Sequence, residues 1–450
     1  MNADRISHDR WPLAVKALLG ARFARSVGQG ALVVGFTLYL NALGWDATAI
    51  GSILSAALLF GVVLTVIIGP ASDRLGRRQF LLAYECVAAT SAVIALLTDH
   101  SVWLSVAAIM GSFGRGANGA AGPFGPLEQA WLTRNLPPSE TPRVFNLNSA
   151  LGFSGMAVGA VLAGLPALWA NALPGPLAYR PLFLLTLIGS AVGFFLIWKA
   201  PDSEHTWTGT HRVPTPGDDW APEPPVSSAA TESSMSTNSH GGQSRSEQRV
   251  AEDRLLLRLA FANVLNGFGI GLISPLIAYW FLRKFGYGPE SIGPAIAIGF
   301  VLAAIGTGLS QIVVKRLGVM RTVVSMRGVG LVLMVLTPLM PNFSLAAGLW
   351  ALRAMFNQGT GGVRQALSMG LTRQHRRGLA ATVNNVSIQI PRAIGPAVAG
   401  MMLQRGWITL PFMAAAMFQL AYLILYARFF GDLEGVTAQT PGIRTKRRQA

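Results

Sequence analysis

Gly69-Pro70-Ala71-Ser72-Asp73-Arg74-Leu75-Gly76-Arg77-Arg78 is the stretch on which the reading of this chain turns. One long apolar run precedes it and another follows, so a tight loop between two membrane helices is expected. Three arginines in so short a loop set it on the cytoplasmic side. Anchoring accounts for the arginines but not for Asp73, an acid in their midst.

The totals agree with a membrane protein. Of 450 residues 51% are hydrophobic and only 12% charged, against about 25% charged in soluble domains, and mean hydropathy is +0.44. The net charge of +16 would suggest a nucleic-acid partner in a soluble chain. Here the excess falls in loops, and no basic stripe carries interleaved aromatics, so none is expected. A single cysteine, Cys86, excludes a disulfide framework or a CxxC metal pair. Met1 to Lys16 is polar and the first apolar run is too long for a signal core, so no cleavable leader is expected.

Twelve apolar windows of membrane-spanning length can be read. The first half gives Ala17–Leu43, Ala49–Gly69, Gln79–Leu97, Val102–Ala121 (running on toward Trp131), Val144–Trp169 and Leu182–Trp198. The second gives Leu255–Phe281, Ile292–Val314, Thr322–Met340, Leu345–Leu371, Ala380–Leu403 and Ile408–Phe430. Residues 1–200 and 253–450 are thus expected as two six-helix units, the second with a basic tail. Between them, 201–252 is rich in Pro, Ser, Thr and Gly and reads as a flexible cytoplasmic linker. Inner short loops hold eleven Lys and Arg and outer ones four, which puts both termini in the cytoplasm.

The opening stretch resembles the signature loop between helices 2 and 3 of the major facilitator superfamily, G-x-x-x-D-R-x-G-R-[RK], at Gly69, Asp73, Arg74, Gly76, Arg77 and Arg78. The resemblance implies an all-α membrane fold of twelve helices, in two six-helix bundles related by a pseudo-twofold axis. The halves do look like copies. Leu75-Gly76 recurs as Leu317-Gly318, Gly159-x-x-x-Ala163-Gly164 as Gly395-x-x-x-Ala399-Gly400, and Arg115 answers to Arg353. In such transporters the substrate site lies between the repeats near mid-membrane. The resemblance also implies that Asp73 faces the start of helix 11, where the macrodipole favours an anion. It further implies that Arg74 pairs with an acid near the end of helix 4, here Glu128, across or beside a cytoplasmic gate. Gly155 is followed by Met156 rather than the Pro of the antiporter branch, whereas Arg115-x-x-x-Gly119 resembles the proton-linked helix 4 motif.

Intramembrane charge marks function by default. At ~1.5 Å per residue, Glu85 lies roughly 9 Å and Arg25 roughly 12 Å from the cytoplasmic edge, and Arg115 about 10 Å from it across a ~30 Å core. The three share a level, and Glu85 is expected to pair with Arg115 or Arg25 and to carry a coupled proton. Glu128 counts out to the cytoplasmic edge, beside Arg74. Arg353 and Arg392 fall near mid-membrane in a half without an intramembrane acid. With Arg115 they are candidates to hold negative charge on a substrate. Helices 1, 4, 7 and 10 line the cavity in the resembled fold, which adds Gln29, Asn118, Asn263, Asn266 and Asn357. No histidine falls in an apolar window, so neither a histidine relay nor a metal site is expected, and no cofactor.

These expectations define a monomeric, multi-pass transporter of the cell inner membrane, working by alternating access on a small molecule. Proton-coupled export of small organic or amphipathic compounds is the first reading. An importer or facilitator of an organic anion, favoured by the arginines, is the alternative. A polytopic membrane enzyme is remote, since no His/Asp or Ser/His cluster lies at membrane depth.

Overall fold

The computed structural model describes residues 11–115, 124–137, 140–201, 240–360 and 377–430. Among these every regular element is helical. The first half holds α1 (Leu13–Ala42), α2 (Ala47–Leu75), α3 (Arg77–Leu97), α4 (Ser101–Met110), α5 (Phe124–Arg134), α6 (Thr141–Leu162) and α7 (Pro181–Lys199). The second holds α8 (His240–Ile273), α9 (Ile277–Phe285), α10 (Pro289–Leu317), α11 (Val319–Leu336), α12 (Phe343–Gly359), α13 (Arg377–Gln404) and α14 (Leu410–Phe430). Nine helical stretches among the described residues are long and apolar enough to cross a bilayer. They leave out α1, which carries Lys16, Arg22 and Arg25, the short α4 and α5, and α12, described as far as Gly359.

Several expected boundaries shift, each for a local reason. The opening stretch is not a ten-residue loop: α2 runs to Leu75 and α3 starts at Arg77, leaving Gly76 alone between them. The fourth window breaks after Met110 into turns at Gly111–Gly114, with Ser112 and Gly114 at φ +51° and +65°. The seventh is interrupted by a 3₁₀ turn at Ser274–Leu276, where Pro275 supplies no N–H. The stretch read as linker becomes helical at His240, and His240 thereby enters a helix. No proline lies between Pro225 and Pro275 to stop that helix from extending toward the N-terminus.

The duplication is visible in how helices pair. In the first half α1 packs on α6 and α7, α2 on α4, and α3 on α4 and α7. In the second, α8 packs on α13 and α14, α10 on α12, and α11 on α12 and α14. The same exchange maps the α2–α13 contact between halves onto the α10–α6 contact. The repeated glycines serve these pairings. A Cβ at Gly159 would overlap the Val27 carbonyl of α1, and one at Gly395 would overlap Gly271 of α8. The second repeat, Leu75-Gly76 and Leu317-Gly318, is a helix stop: Gly76 has φ +92° and ψ 126°, Gly318 φ +82° and ψ 169°. Such backbone is nearly closed to residues with a Cβ. Gly318→Ala is expected to destabilise by about 1–3 kcal/mol, read as a lower thermal midpoint of the full chain.

One apolar core is shared by both halves, from Phe36, Tyr39 and Leu54 to Trp280, Phe300 and Leu403. Two others belong to single halves, around Leu81, Leu132 and Ile197, and around Leu259, Val323 and Tyr422. The shared core lies toward the end of the molecule marked by Asp46 and Gln404. The separate cores lie toward the end marked by Gly76 and Gly318. Two hydrogen bonds tie α2 to α13 at the shared end: Ala47 N–H donates to Gln404 Oε1 (2.9 Å) and Ala397 N–H to Ser55 Oγ (2.8 Å). Among the described residues, then, the halves close on each other at one end and stand on separate cores at the other.

Candidate functional site

Buried charge is divided unequally between the halves. In the first half Arg25, on the long α1, reaches two acids. Its NH1 stands 3.3 Å from Glu85 Oε1 of α3, and its NH2 donates to Glu128 Oε1 of α5. Glu85 is fully buried, with the Ser190 hydroxyl of α7 and the Arg25 guanidinium as its polar neighbours. Gly193 of α7 makes the room, since a Cβ there would stand 2.8 Å from Glu85 Oε1. Arg22, one turn before Arg25, packs its guanidinium over Gly152 of α6 and has Glu128, Arg25 and Arg115 as charged neighbours. Arg115 NH2 donates to Tyr84 Oη (3.1 Å), and its Nε to the Ser112 carbonyl (3.0 Å).

Glu128 is buried, 1% exposed, against Arg25, a contact that the count by depth does not anticipate. A count at constant rise needs a continuous helix, and the break after Met110 removes that premise. The side chains of Asp73 and Arg74 lie outside the described residues, so the contacts expected of them, Arg74 with Glu128 included, lie outside them too. Arg77 NH1 donates to the Ala130 carbonyl (2.8 Å) near the end of α5, and Arg78 donates to the Trp198 carbonyl at the end of α7. Both thus satisfy carbonyls at helix C-termini, where cations are favoured.

Among the described residues the second half carries a cavity of about 180 Å³. Its lining includes Arg327, Arg353 and Arg392, the amides Asn266, Asn357, Gln358 and Gln419, and the rings of Phe300 and Trp350, with no acid among the described residues. Arg327 of α11 is 5% exposed and donates to Asn266 Oδ1 (2.7 Å) and Gln419 Oε1 (3.2 Å), with Tyr422 against its guanidinium face at 5.0 Å. Arg392 of α13 donates to Gln389 Oε1 (3.2 Å) and, across the halves, to the Arg115 carbonyl (3.1 Å). Arg353 of α12 lies over the Trp350 ring at 4.8 Å, and its buried Nε has no hydrogen-bond partner. Neutral amides and rings satisfy donors without cancelling charge. A buried cation without a counter-charge costs at least ~2.5–3.5 kcal/mol even on the mild insertion scale.

Of the residues expected at the cavity, Arg353, Arg392, Asn266 and Asn357 line it. Gln29 and Arg115 line a separate space of about 30 Å³ in the first half. Asn263 is elsewhere: its Nδ2 donates to Asn384 Oδ1 (2.9 Å) and Ser387 Oγ (3.2 Å), joining α8 to α13. Asn118 lies outside the described residues. Arg22, Arg327 and Gln419 were not anticipated. Arg22 and Arg327 both fall inside apolar windows, so the rule that singles out intramembrane charge points to them as well.

Known proteins resemble this chain in sequence or in fold. The uncharacterized membrane protein YJR124C of Saccharomyces cerevisiae is 23% identical over 427 residues, covering 93% of this chain and 94% of that protein. The uncharacterized MFS-type transporter YdeE of Escherichia coli is 26% identical over 206 residues, covering 45% of this chain and 49% of that protein. Among solved structures, a D-xylose–proton symporter superposes with a TM-score of 0.68 at 14% identity, over 92% of this chain and 97% of that one. A bacterial homologue of the human lysosomal transporter Spinster, inward-facing and occupied, gives 0.67 at 14% identity, over 95% and 98%. These structures share the fold. The description of the Major Facilitator Superfamily matches residues 18–233 and 259–449, nearly the whole of both halves, and the chain belongs to that superfamily.

Proposed function

We propose that this secondary transporter moves small organic anions by proton-coupled alternating access, with the anion in the second half and the proton in the first. Superfamily membership makes the chain a multi-pass membrane transporter of a small molecule, not an enzyme. The observation that carries the anion reading is the cavity lined by three arginines and, among the described residues, no acid. It favours the organic-anion alternative over amphipathic compounds, because a desolvated guanidinium repels a cation and gains little from a neutral apolar group.

Glu85 is the proposed proton acceptor. Arg25 hydrogen-bonds Glu128 but only approaches Glu85, so a proton on Glu85 gives up the weaker contact. Alternating access is supported by the closed end at Asp46 and Gln404 and the separate cores at the other. With the arginine-rich loops in the cytoplasm, that disposition corresponds to a cavity opening inward, in a plasma-membrane protein with both termini inside. Purified full chain in proteoliposomes, assayed with an imposed pH gradient and a panel of anions, cations and neutral compounds, tests the reading. Anion flux that responds to the gradient is expected, and Glu85→Gln is expected to cut the gradient-driven part at least about tenfold, the scale of losing one positioned acid–base group. Flux of cations alone, or gradient-driven flux untouched by Glu85→Gln, contradicts it.

A further inference from the structure

We infer that the substrate is a small organic dianion, held jointly by Arg327, Arg353 and Arg392. The inference rests on the anion reading above and sharpens it by charge and by size.

The charge argument is a sum. The three arginines contribute +3 to the cavity lining, and the lining offers no acid in return. Hydrogen bonds donated to the side-chain oxygens of Asn266, Gln389 and Gln419 satisfy individual N–H groups of the arginines but leave the sum unchanged. Arg115, which Arg392 meets across the halves, is another cation and contributes its carbonyl oxygen to that contact. A monoanion leaves +2 on the lining and a dianion +1. In a low-dielectric site each charge removed counts more than it would in water. The three side chains also differ in readiness. Arg327 and Arg392 donate to named protein acceptors, whereas Arg353 has a buried Nε with no hydrogen-bond partner and a ring beneath it. A guanidinium presents paired donors suited to a carboxylate or a phosphoryl group, and a stacked one is already oriented.

The size argument is a bound. A cavity of about 180 Å³ is smaller than the ~300–1,000 Å³ of drug-sized sites. A short dicarboxylate or a phosphate monoester fits that bound. Phe300 and Trp350 provide a flat apolar wall for its uncharged part.

The test uses the full-length protein in detergent and four probes: succinate, its monoamide succinamate, phenyl phosphate, and methyl phenyl phosphate. Each pair holds size nearly constant while the charge falls from two to one at pH 7.5. Ligand-dependent shifts of the thermal midpoint report binding. At least one dianion is expected to bind about tenfold or more tighter than its monoanionic partner, the scale of one charge-assisted hydrogen-bond pair. Which pair responds tells carboxylate from phosphoryl. Equal binding within both pairs overturns the dianion inference and leaves anion transport standing. No binding by any of the four overturns the inference, and the proteoliposome panel then decides the anion reading separately. Arg353→Met supplies an independent arm. If Arg353 serves a ligand, removing a buried cation raises the midpoint of the empty protein and erases the preference for two charges. A lowered midpoint, or a variant that fails to fold, makes Arg353 a structural residue and counts against the proposal.

Discussion

Arg25→Met is expected to be among the most destabilising substitutions in the chain, by about 3–5 kcal/mol, the range for breaking a buried ion pair from one side. Arg25 is the residue on which Glu85 and Glu128 both converge. All three side chains are buried, at 5%, 0% and 1% exposure. Methionine matches much of the stem but leaves two carboxylates facing each other without their shared cation. Arg22 is a charged neighbour of Glu128 and would offset part of the loss. Adding Glu85→Gln and Glu128→Gln to Arg25→Met removes the stranded charges and is expected to recover most of the stability, as neutral replacement of whole buried ion clusters does elsewhere. Thermal midpoints of the three proteins in detergent check this. A single variant that melts with the wild type would mean that the contact adds nothing to the fold.

Gly51→Val and Gly400→Val act at the closed end and should change the conformational balance instead. A Cβ at Gly51 would overlap the Pro396 carbonyl, and one at Gly400 would overlap the Ala47 carbonyl. Neither backbone carbonyl can yield without moving its helix, so each side chain wedges α2 from α13. The same face holds the Ser55–Ala397 and Gln404–Ala47 hydrogen bonds, which break when the helices part. A carrier must both make and break this contact, and a shift of about 2.7 kcal/mol between states is a hundredfold change in their ratio. Transport is expected to fall at least about tenfold while the protein still folds, because each half keeps its own core. Spin labels at Ala42 and Arg405, both exposed at this end, with Cys86 replaced by serine, report the separation. A longer distance in the valine variants is the expected result. Unchanged distance together with unchanged transport would show that the end can be widened without consequence.

The candidate site was only partly legible. Arg353 and Arg392 could be placed near mid-membrane by counting residues, and both line the cavity. For Glu128 the count loses its premise, because it assumed an unbroken helix through Gly111–Gly114. It could not choose between Arg25 and Arg115 as the neighbour of Glu85, since depth along a helix does not fix direction around it. Asn263 and Asn266 lie three apart on α8, yet one joins two helices and the other borders the cavity. Arg327 lies in a window that also begins beside inner-loop arginines, and its depth alone does not distinguish an anchor from a cavity group.

Some properties follow from the chain by itself. Apolar runs long enough to span a bilayer require helices, because unpaired backbone groups cannot be left in hydrocarbon. The repeated Leu-Gly stops and small-residue motifs recur at nearly constant offset and mark two copies of one unit. Charge content excludes a soluble domain and puts buried arginines where an explanation is needed. What tertiary structure decided is which side chains meet. The pairing of Arg25 with Glu85 and Glu128, the gathering of Arg327, Arg353 and Arg392 from three helices, and the closure of α2 on α13 all depend on helix rotation, breaks and crossing. Sequence spacing gives position along a helix axis. Direction around that axis is set by packing against neighbours that are remote in the chain.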